Sequence, residues 1–320
     1  MGPMLMSQKI AIDIGSGITN VKTDERELLF PSRVCVAPPK WQQHFGATQA
    51  RVCRFNNKDW LIGDAVRAIG GEAENTLSDT WAESEGWLVL LYSALAELNV
   101  SGDIHLATGL PQAVYKQQKN VLIDRLVGMH KFAINGVERS VAIVSAHVVP
   151  QATAALMYQA TQDANMAGDA GCIDIGTYTT GLAVIDMDTQ SLIERRSTGR
   201  QLGVATLLSG LESYLNRRYN LQLDGPRLMG ALQHQQVRYR GEVIDLSGVI
   251  ANIAIQEAKP MLDFIQDVWA GGADLDVFLA GGGADYFAPA VRSVVPHAQV
   301  ITEPQWAVAR GLHEYLRAIV

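Results

Sequence analysis

The segment Ile12-Asp13-Ile14-Gly15 recurs as Ile173-Asp174-Ile175-Gly176, half a chain further along a sequence of 320 residues. Each copy ends an apolar run. Each is followed by a small hydroxyl residue, Ser16 or Thr177, and then by more threonine: Thr19 after the first, Thr179 and Thr180 after the second. The common unit is a strand ending in aspartate, a Gly/Ser/Thr turn and a return strand. A duplicated unit at this distance implies two related halves, in line with a length prior of about 150 residues per domain. Glycine in such a turn lets backbone N–H groups approach an anion closely, and the hydroxyls add donors. An aspartate beside the turn can hold Mg²⁺ through water or order an attacking water. Two such turns facing each other would clamp a polyphosphate between two domains.

Composition narrows the class. The chain carries 26 basic and 33 acidic residues, a net charge of −7, with 18% charged and 48% apolar residues. That composition supports a large core and excludes disordered and collagen-like chains. It also lacks the basic footprint of a whole-protein nucleic-acid binder. Three cysteines, Cys35, Cys53 and Cys172, have no paired spacing and read as free thiols in a reducing cytoplasm. The N-terminal segment, with Gly2, has neither a signal-peptide core nor a myristoylation pattern. The mostly apolar run Gly86 to Ala96 is too short to span a bilayer and reads as a buried helix. The expected protein is cytoplasmic, with no membrane contact.

Alternating strand and helix patterns indicate an α/β chain. Strands are expected at Lys9–Gly15, Ile18–Lys22, Ile104–Thr108, Val141–Val149, Cys172–Gly176, Gly181–Asp186, Leu192–Ser197, Leu275–Ala280 and Gln299–Ile301. Asn135-Gly136 signals a hairpin. Residues 28–71 read as short strands and loops. Thr80 and Glu83 form a capping-box pattern that opens a long helix. Further helices are expected from Pro111 to Val127, from Pro150 to Tyr158, at Gly203–Tyr219, at Leu246–Val268 and at Pro304–Ala318. The polar, glycine-containing stretch Gln162 to Gly171 marks the domain boundary, with a hinge near Gly168 to Gly171. The domains expected are 1–165, with a small variable lobe at about 28–75 and a completing C-terminal helix at 303–320, and 166–302. The seven histidines show no metal spacing. His130-Lys131 and Arg217-Arg218 read as solvated basic spots. The basic clusters of Tyr219 to Arg240 face either a partner or a base, and the residues do not choose between them.

Three separated segments resemble the superfamily of actin, the heat-shock chaperones and the sugar kinases. DIGSGITNVK is similar to its first phosphate loop, GCIDIGTYTTGLAVID to its second, and LAGGGADYFAPAV to its adenosine loop. Within it the chain most resembles the ParM/StbA plasmid-segregation actins, through TNVK, TGLPQAVYKQQK, VVPQATAAL and EPQWAVARGLHEYL. The resemblance implies an actin-like ATPase fold, two related RNase H-like domains around a nucleotide cleft. It also implies residue roles. Gly15, Ser16, Gly17, Thr19 and Asn20 would meet the phosphates from one side, and Gly176, Thr177, Tyr178 and Thr179 from the other. Asp13 and Asp174 would organise Mg²⁺, mostly through water. Gln151 stands where the family orients the attacking water; actin has glutamine there and the best-known plasmid member glutamate. Gly203 would belong to the nucleotide site, and Gly281, Gly282 and Gly283 would pass close to ribose and base. Actin's phosphate-binding lysine corresponds to Asn20; Lys22, two residues on and on the same strand face, is the substitute.

The activity implied is slow ATP hydrolysis, with GTP the alternative nucleotide, coupled to an actin-like filament that moves DNA such as plasmid copies. Hydrolysis would destabilise the polymer. The partners implied are other copies of the chain and a small DNA-binding adaptor, without direct nucleic-acid binding. A sugar- or acetate-kinase-type phosphotransferase and a non-segregation cytoskeletal actin homologue are the rivals. A chaperone is disfavoured because no residues remain for a substrate-binding domain.

Overall fold

The computed structural model describes residues 7–43, 50–100, 102–163 and 165–320. The Gly2 reading and part of the 28–75 lobe lie outside the described residues. Backbone contacts divide the chain into two compact units, Met1–Gln162 with Trp306–Val320, and Asp163–Gln305.

In chain order the first unit contains β1 (Gln8–Ile14), β2 (Ile18–Lys22), β3 (Glu27–Pro31), β4 (Val34–Val36), β5 (Arg51–Phe55) and β6 (Lys58–Ile62). Then follow α1 (Asp64–Ile69), α2 (Glu85–Glu97), β7 (Gly102–Leu110), α3 (Tyr115–Leu126), β8 (Gly128–Ile134), β9 (Val137–Pro150) and α4 (Gln151–Gln162). The C-terminal helix, Ala307–Ile319, also belongs here. Nine strands form one sheet in the order β3-β2-β1-β7-β9-β8-β5-β6-β4. Its two end strands are joined in sequence by Ser32 and Arg33 alone, so the sheet bends round α2, which touches β1, β4, β5, β6 and β8. Accordingly every residue of α2 from Gly86 to Leu95 is buried, as expected of a helix that is apolar on all sides.

The second unit contains β10 (Asp169–Ile175), β11 (Thr180–Asp186), β12 (Ser191–Leu192), β13 (Thr198–Arg200), α5 (Val204–Tyr219), α6 (Gly225–His234), β14 (Gln236–Tyr239) and β15 (Glu242–Asp245). It continues with α7 (Ser247–Glu257), α8 (Lys259–Trp269), β16 (Asp276–Ala280), α9 (Ala284–Val291) and β17 (Gln299–Val300). Its main ladder runs β12-β11-β10-β16-β17. This reproduces β3-β2-β1-β7-β9 of the first unit, three antiparallel strands followed by two parallel ones. The duplication seen in four residues is therefore a duplication of topology and of fold.

Several local expectations are corrected. Thr80 does not cap the long helix; it precedes a 3₁₀ turn, Trp81–Glu83, and makes no side-chain cap. Ser84, in extended conformation, is the cap, its hydroxyl accepting from the Trp87 N–H at 3.0 Å. The helix after Pro111 starts only at Tyr115. Leu192–Ser197 is not one strand: β12 gives way to a 3₁₀ turn at Glu194–Arg196. The helix expected over Leu246–Val268 is two, because Pro260 has no N–H with which to continue the ladder. Residues 220–245 hold α6 and the β14–β15 hairpin, whose turn residues Arg240 and Gly241 have φ of 50° and 90°. An Arg-Gly pair is a weaker hairpin signal than Asn-Gly. Asn135-Gly136 does form its hairpin, with φ of 51° and 78°.

Among the described residues no helix is long and apolar enough to cross a membrane. The three cysteines are free and buried.

Candidate phosphate loops and their aspartates

In the first unit β1 ends at Ile14, and the Gly15 N–H donates to the Ile18 carbonyl at 3.1 Å, closing the turn into β2. The register sets Asp13 opposite Asn20 and Ile14 opposite Thr19. Cross-strand partners share a sheet face, so Asp13 and Asn20 lie on one side and Thr19 on the other, with apolar Ile14. Asp13 is 7% exposed. Burial pushes its carboxyl up to about 6, against the lowering effect of a hydrogen bond from Gln151. That bond, Gln151 Nε2 to Asp13 Oδ1, is 2.7 Å long.

Gln151 opens α4 directly after β9, and β7 lies between β9 and β1. The two side chains therefore meet over β7, at Gly109. A Cβ on Gly109 would stand 2.8 Å from Gln151 Cγ and 3.1 Å from Asp13 Oδ1. Gly109 is thus a site residue that the sequence reading missed. Nothing local marks it; its role appears only when three strands are side by side.

The remaining first-loop residues separate. The Ser16 carbonyl accepts from Thr76 Oγ1 at 2.6 Å, and the Gly17 carbonyl from the Ser32 N–H at 2.9 Å, so both are fixed from outside the turn. Asn20 is 2% exposed, with Oδ1 unpartnered. Thr19 is not a free loop hydroxyl: it is fully buried, with Oγ1 2.9 Å from Ser32 Oγ. Lys22 is also drawn away, Nζ lying 3.4 Å from Glu27 Oε1. Glu27 is gripped in turn by Arg310 at 2.9 and 3.2 Å, and this contact holds the Glu27 carboxyl below its ordinary range. The same-face expectation for Lys22 and Asn20 is correct, but an ion pair decides where the ammonium goes.

In the second unit the turn repeats: the Gly176 N–H donates to the Thr179 carbonyl at 2.9 Å. Asp174 is 8% exposed and sits opposite Gly181, where the first unit has Asn20. The first turn of α5 holds this loop, with the Val204 and Ala205 N–H groups donating to the Gly176 and Thr177 carbonyls at 3.0 and 2.9 Å. Gly203 makes the approach feasible, because a Cβ there would lie 2.6 and 2.7 Å from those same oxygens. Thr177, Tyr178 and Thr179 are half-buried around the turn. Gly281, with φ of 84°, packs on the end of β10; a Cβ would meet Asp174 Oδ1 at 2.5 Å. The Gly283 N–H donates to the Ile175 carbonyl at 2.9 Å. Gly282 faces the Gln305 side chain. Asp174, Gly176, Thr177, Gly203, Gly281 and Gly283 are therefore gathered at one end of this sheet.

From the first turn of α5 an open groove of about 770 Å³ runs between α5 and α7, lined by Thr206, Ser213, Tyr214, Asn252 and Gln256 among others. The sequence reading did not find it.

The donor chemistry fits Mg²⁺. Asp13 and Asp174 offer hard carboxylate oxygens, and a desolvated Asp13 carboxylate gains from a nearby divalent cation. Among the described residues no group of three or more His, Cys, Asp or Glu could hold a metal alone. One or two carboxylates completed by phosphate and water is the usual Mg²⁺ arrangement.

Residues 11–153 match the family model of the actin-like protein N-terminal domain, and residues 172–293 that of the archaeal actin homologue MreB-like C-terminal domain. Among solved structures, the chain is similar to an archaeal actin homolog at 19% identity, covering 97% of this chain and 99% of that one, with a TM-score of 0.84. Its complex with ADP aligns at 20% identity over 97% and 99%, with a TM-score of 0.82. A subunit of a 15-stranded ParM filament from Clostridium botulinum aligns at 21% identity over 98% and 99%, with a TM-score of 0.79. A search of curated protein sequences finds no match.

Proposed function

Because the chain belongs to the actin-like superfamily, we propose that it is a filament-forming ATPase that hydrolyses ATP slowly and moves or positions DNA, such as plasmid copies, in the cytoplasm. The observation that carries the ATPase reading is the Gln151–Asp13 pair across Gly109, a neutral amide held against a buried carboxylate beside a glycine turn. Glutamine cannot act as a base but aligns water. Its Nε2 is committed to Asp13, which leaves the carbonyl oxygen to accept a proton of the attacking water. Gly15, Ser16, Gly17 and Asn20 in the first unit, and Gly176, Thr177, Tyr178 and Thr179 in the second, bind phosphate. Gly203 and Gly281 let the second loop close on itself. The α5–α7 groove accommodates the nucleoside. Bound Mg²⁺ would neutralise phosphate charge; Asp13 and Asp174 would hold it, largely through water.

Support for self-assembly comes from the likeness to a protein solved as a filament. Hydrolysis would weaken subunit contacts, and a small basic adaptor would link the filament to DNA, a division of labour that suits a net charge of −7.

Sedimentation and light scattering with ATP, GTP, ADP and no nucleotide test this reading. The expected result is polymer triggered by the triphosphate, followed by phosphate release and disassembly. A chain that stays monomeric at high concentration with either triphosphate overturns it.

A further inference from the structure

We propose that His313 works as an acid-operated release: taking up a proton loosens the β2–β3 hairpin, which follows the first turn, from the C-terminal helix. The consequence for nucleotide binding rests on the reading above; the protonation itself does not.

The C-terminal helix, α10 (Ala307–Ile319), packs on α4, β1, β7 and β2. It meets the β2–β3 hairpin at two points about one helical turn apart. At the first, Arg310 grips Glu27 at 2.9 and 3.2 Å, with its guanidinium also held over the Tyr158 and Trp306 rings. An arginine charge is permanent, so this point is fixed. At the second, His313 Nε2 lies 3.4 Å from Asp24 Oδ1, in the hairpin turn. The His313 ring is 2% exposed, and neither of its nitrogens has a hydrogen-bond partner. A neutral imidazole always carries one N–H donor, and burial strands it here. Packing alone therefore keeps the ring inside.

Protonation turns both nitrogens into donors and puts a charge where one carboxylate is in reach. The Asp24 side chain is 65% exposed. The imidazolium satisfies itself by moving outward to Asp24 and water, which withdraws a buried side chain from between α10 and the hairpin. The charges around the ring are mixed. Burial is the largest influence and holds His313 below its ordinary 6.5; Asp24 and Glu314 favour the proton, and Lys22 and Arg317 oppose it. The sheet face that carries Lys22 and Asp13 also carries Lys9 of β1, and Asp103 and His105 of β7. The His105 ring is bound to Ser145 and Ser7, and α4 adds only Tyr158, which is bound to Arg310. At the far end of α10, His147 of β9 meets Tyr315.

The hairpin leads straight to the candidate site. β2 begins at Ile18, whose carbonyl closes the Gly15 turn, and it carries Asn20 opposite Asp13. Loosening at Asp24, four residues beyond Asn20, is passed along the same strand. Between the lowered value and 6.5 the unfolded chain binds more protons at this histidine than the native protein does. His313 therefore makes the protein lose stability as pH falls through that window.

The test uses the full chain. Proton NMR titration of the histidine rings, with His313→Gln assigning the resonance, should give His313 a midpoint below 6.5. Asp24→Asn, at an exposed position, should lower that midpoint further and assigns the resonance if His313→Gln fails to fold. From about pH 7 to about pH 5 the melting temperature of wild type should fall more than that of His313→Gln. Affinity for an ATP analogue should fall about tenfold more, the factor for one pKa unit of linkage. A midpoint at or above 6.5 overturns the proposal, as do melting temperatures that run parallel. Parallel affinities with diverging melting temperatures overturn the link to Asn20. A chain that binds no nucleotide at any pH overturns the reading of the site instead, and the titration and melting curves then decide the release alone.

Discussion

Gln151 Nε2 donates to Asp13 Oδ1 across β7, and Gly109 is the residue beneath the bond. Burial, opposed by this bond, sets the ionisation of the first loop. Burial raises the Asp13 carboxyl to about 6 from an ordinary value of 3.8. Between these two values the native protein binds more protons than the unfolded chain, so the stability of the nucleotide-free protein falls as pH rises through that window. The fall attributable to Asp13 amounts to about 3 kcal/mol. Asp13→Asn should remove it, melting higher than wild type at pH 7.5 while losing Mg²⁺-dependent nucleotide binding. Equal slopes of melting temperature against pH between 4 and 6.5 for the two proteins would contradict this assignment.

Gln151→Ala should keep nucleotide affinity and slow phosphate release by about 10²-fold or more, the scale of removing one prepositioned group from an active site. Single-turnover hydrolysis with a parallel binding titration separates the two effects. An unchanged turnover rate removes Gln151 from the mechanism.

Gly109→Ala attacks the same pair from below. The added methyl would stand 2.8 Å from Gln151 Cγ and 3.5 Å from Val308 Cγ1. Overpacking of this kind costs about 1–3 kcal/mol. Urea unfolding should show that loss, with turnover falling as in Gln151→Ala.

Gly203→Ala should weaken nucleotide binding, because its Cβ collides with the Gly176 and Thr177 carbonyls and pushes α5 off the second loop. The backbone itself is not at issue, since φ of −170° is open to any residue. Gly225→Ala is the control, with nothing within 4 Å of the added carbon. Similar nucleotide affinities in the two variants would count against the second loop.

Trp87→Ala should destabilise the first unit by about 3–5 kcal/mol, the cost of emptying a large aromatic site. Trp87 is 1% exposed within α2, inside the bent sheet. Denaturant unfolding followed by tryptophan fluorescence would measure the loss.

Strand parity was legible in places. The recurrence of Ile-Asp-Ile-Gly carries the Gly-to-carbonyl closure of both turns, and Lys22 does share a face with Asn20. The same parity, once the register is known, turns Thr19 into the core with Ile14. The register depends on how many residues the turn consumes, which alternation alone does not state. Pro260 was visible and is what divides α7 from α8. The Arg240-Gly241 turn carries no clear sequence signal, because the left-handed conformation is rare for arginine.

By itself the sequence determined two strand–turn–strand units with an aspartate at each turn, an α/β order of elements, and a wholly apolar helix that must be enclosed. These follow from backbone preferences and periodicity within a few neighbouring residues. Only the tertiary structure decided which polar groups meet. Asp13 and Gly109 come from the ends of two strands and Gln151 from the start of α4, Lys22 goes to Glu27, and the first turn of α5 holds the second loop. Partner choice and desolvation depend on what packs against a side chain, and those neighbours lie tens to hundreds of residues away in the chain.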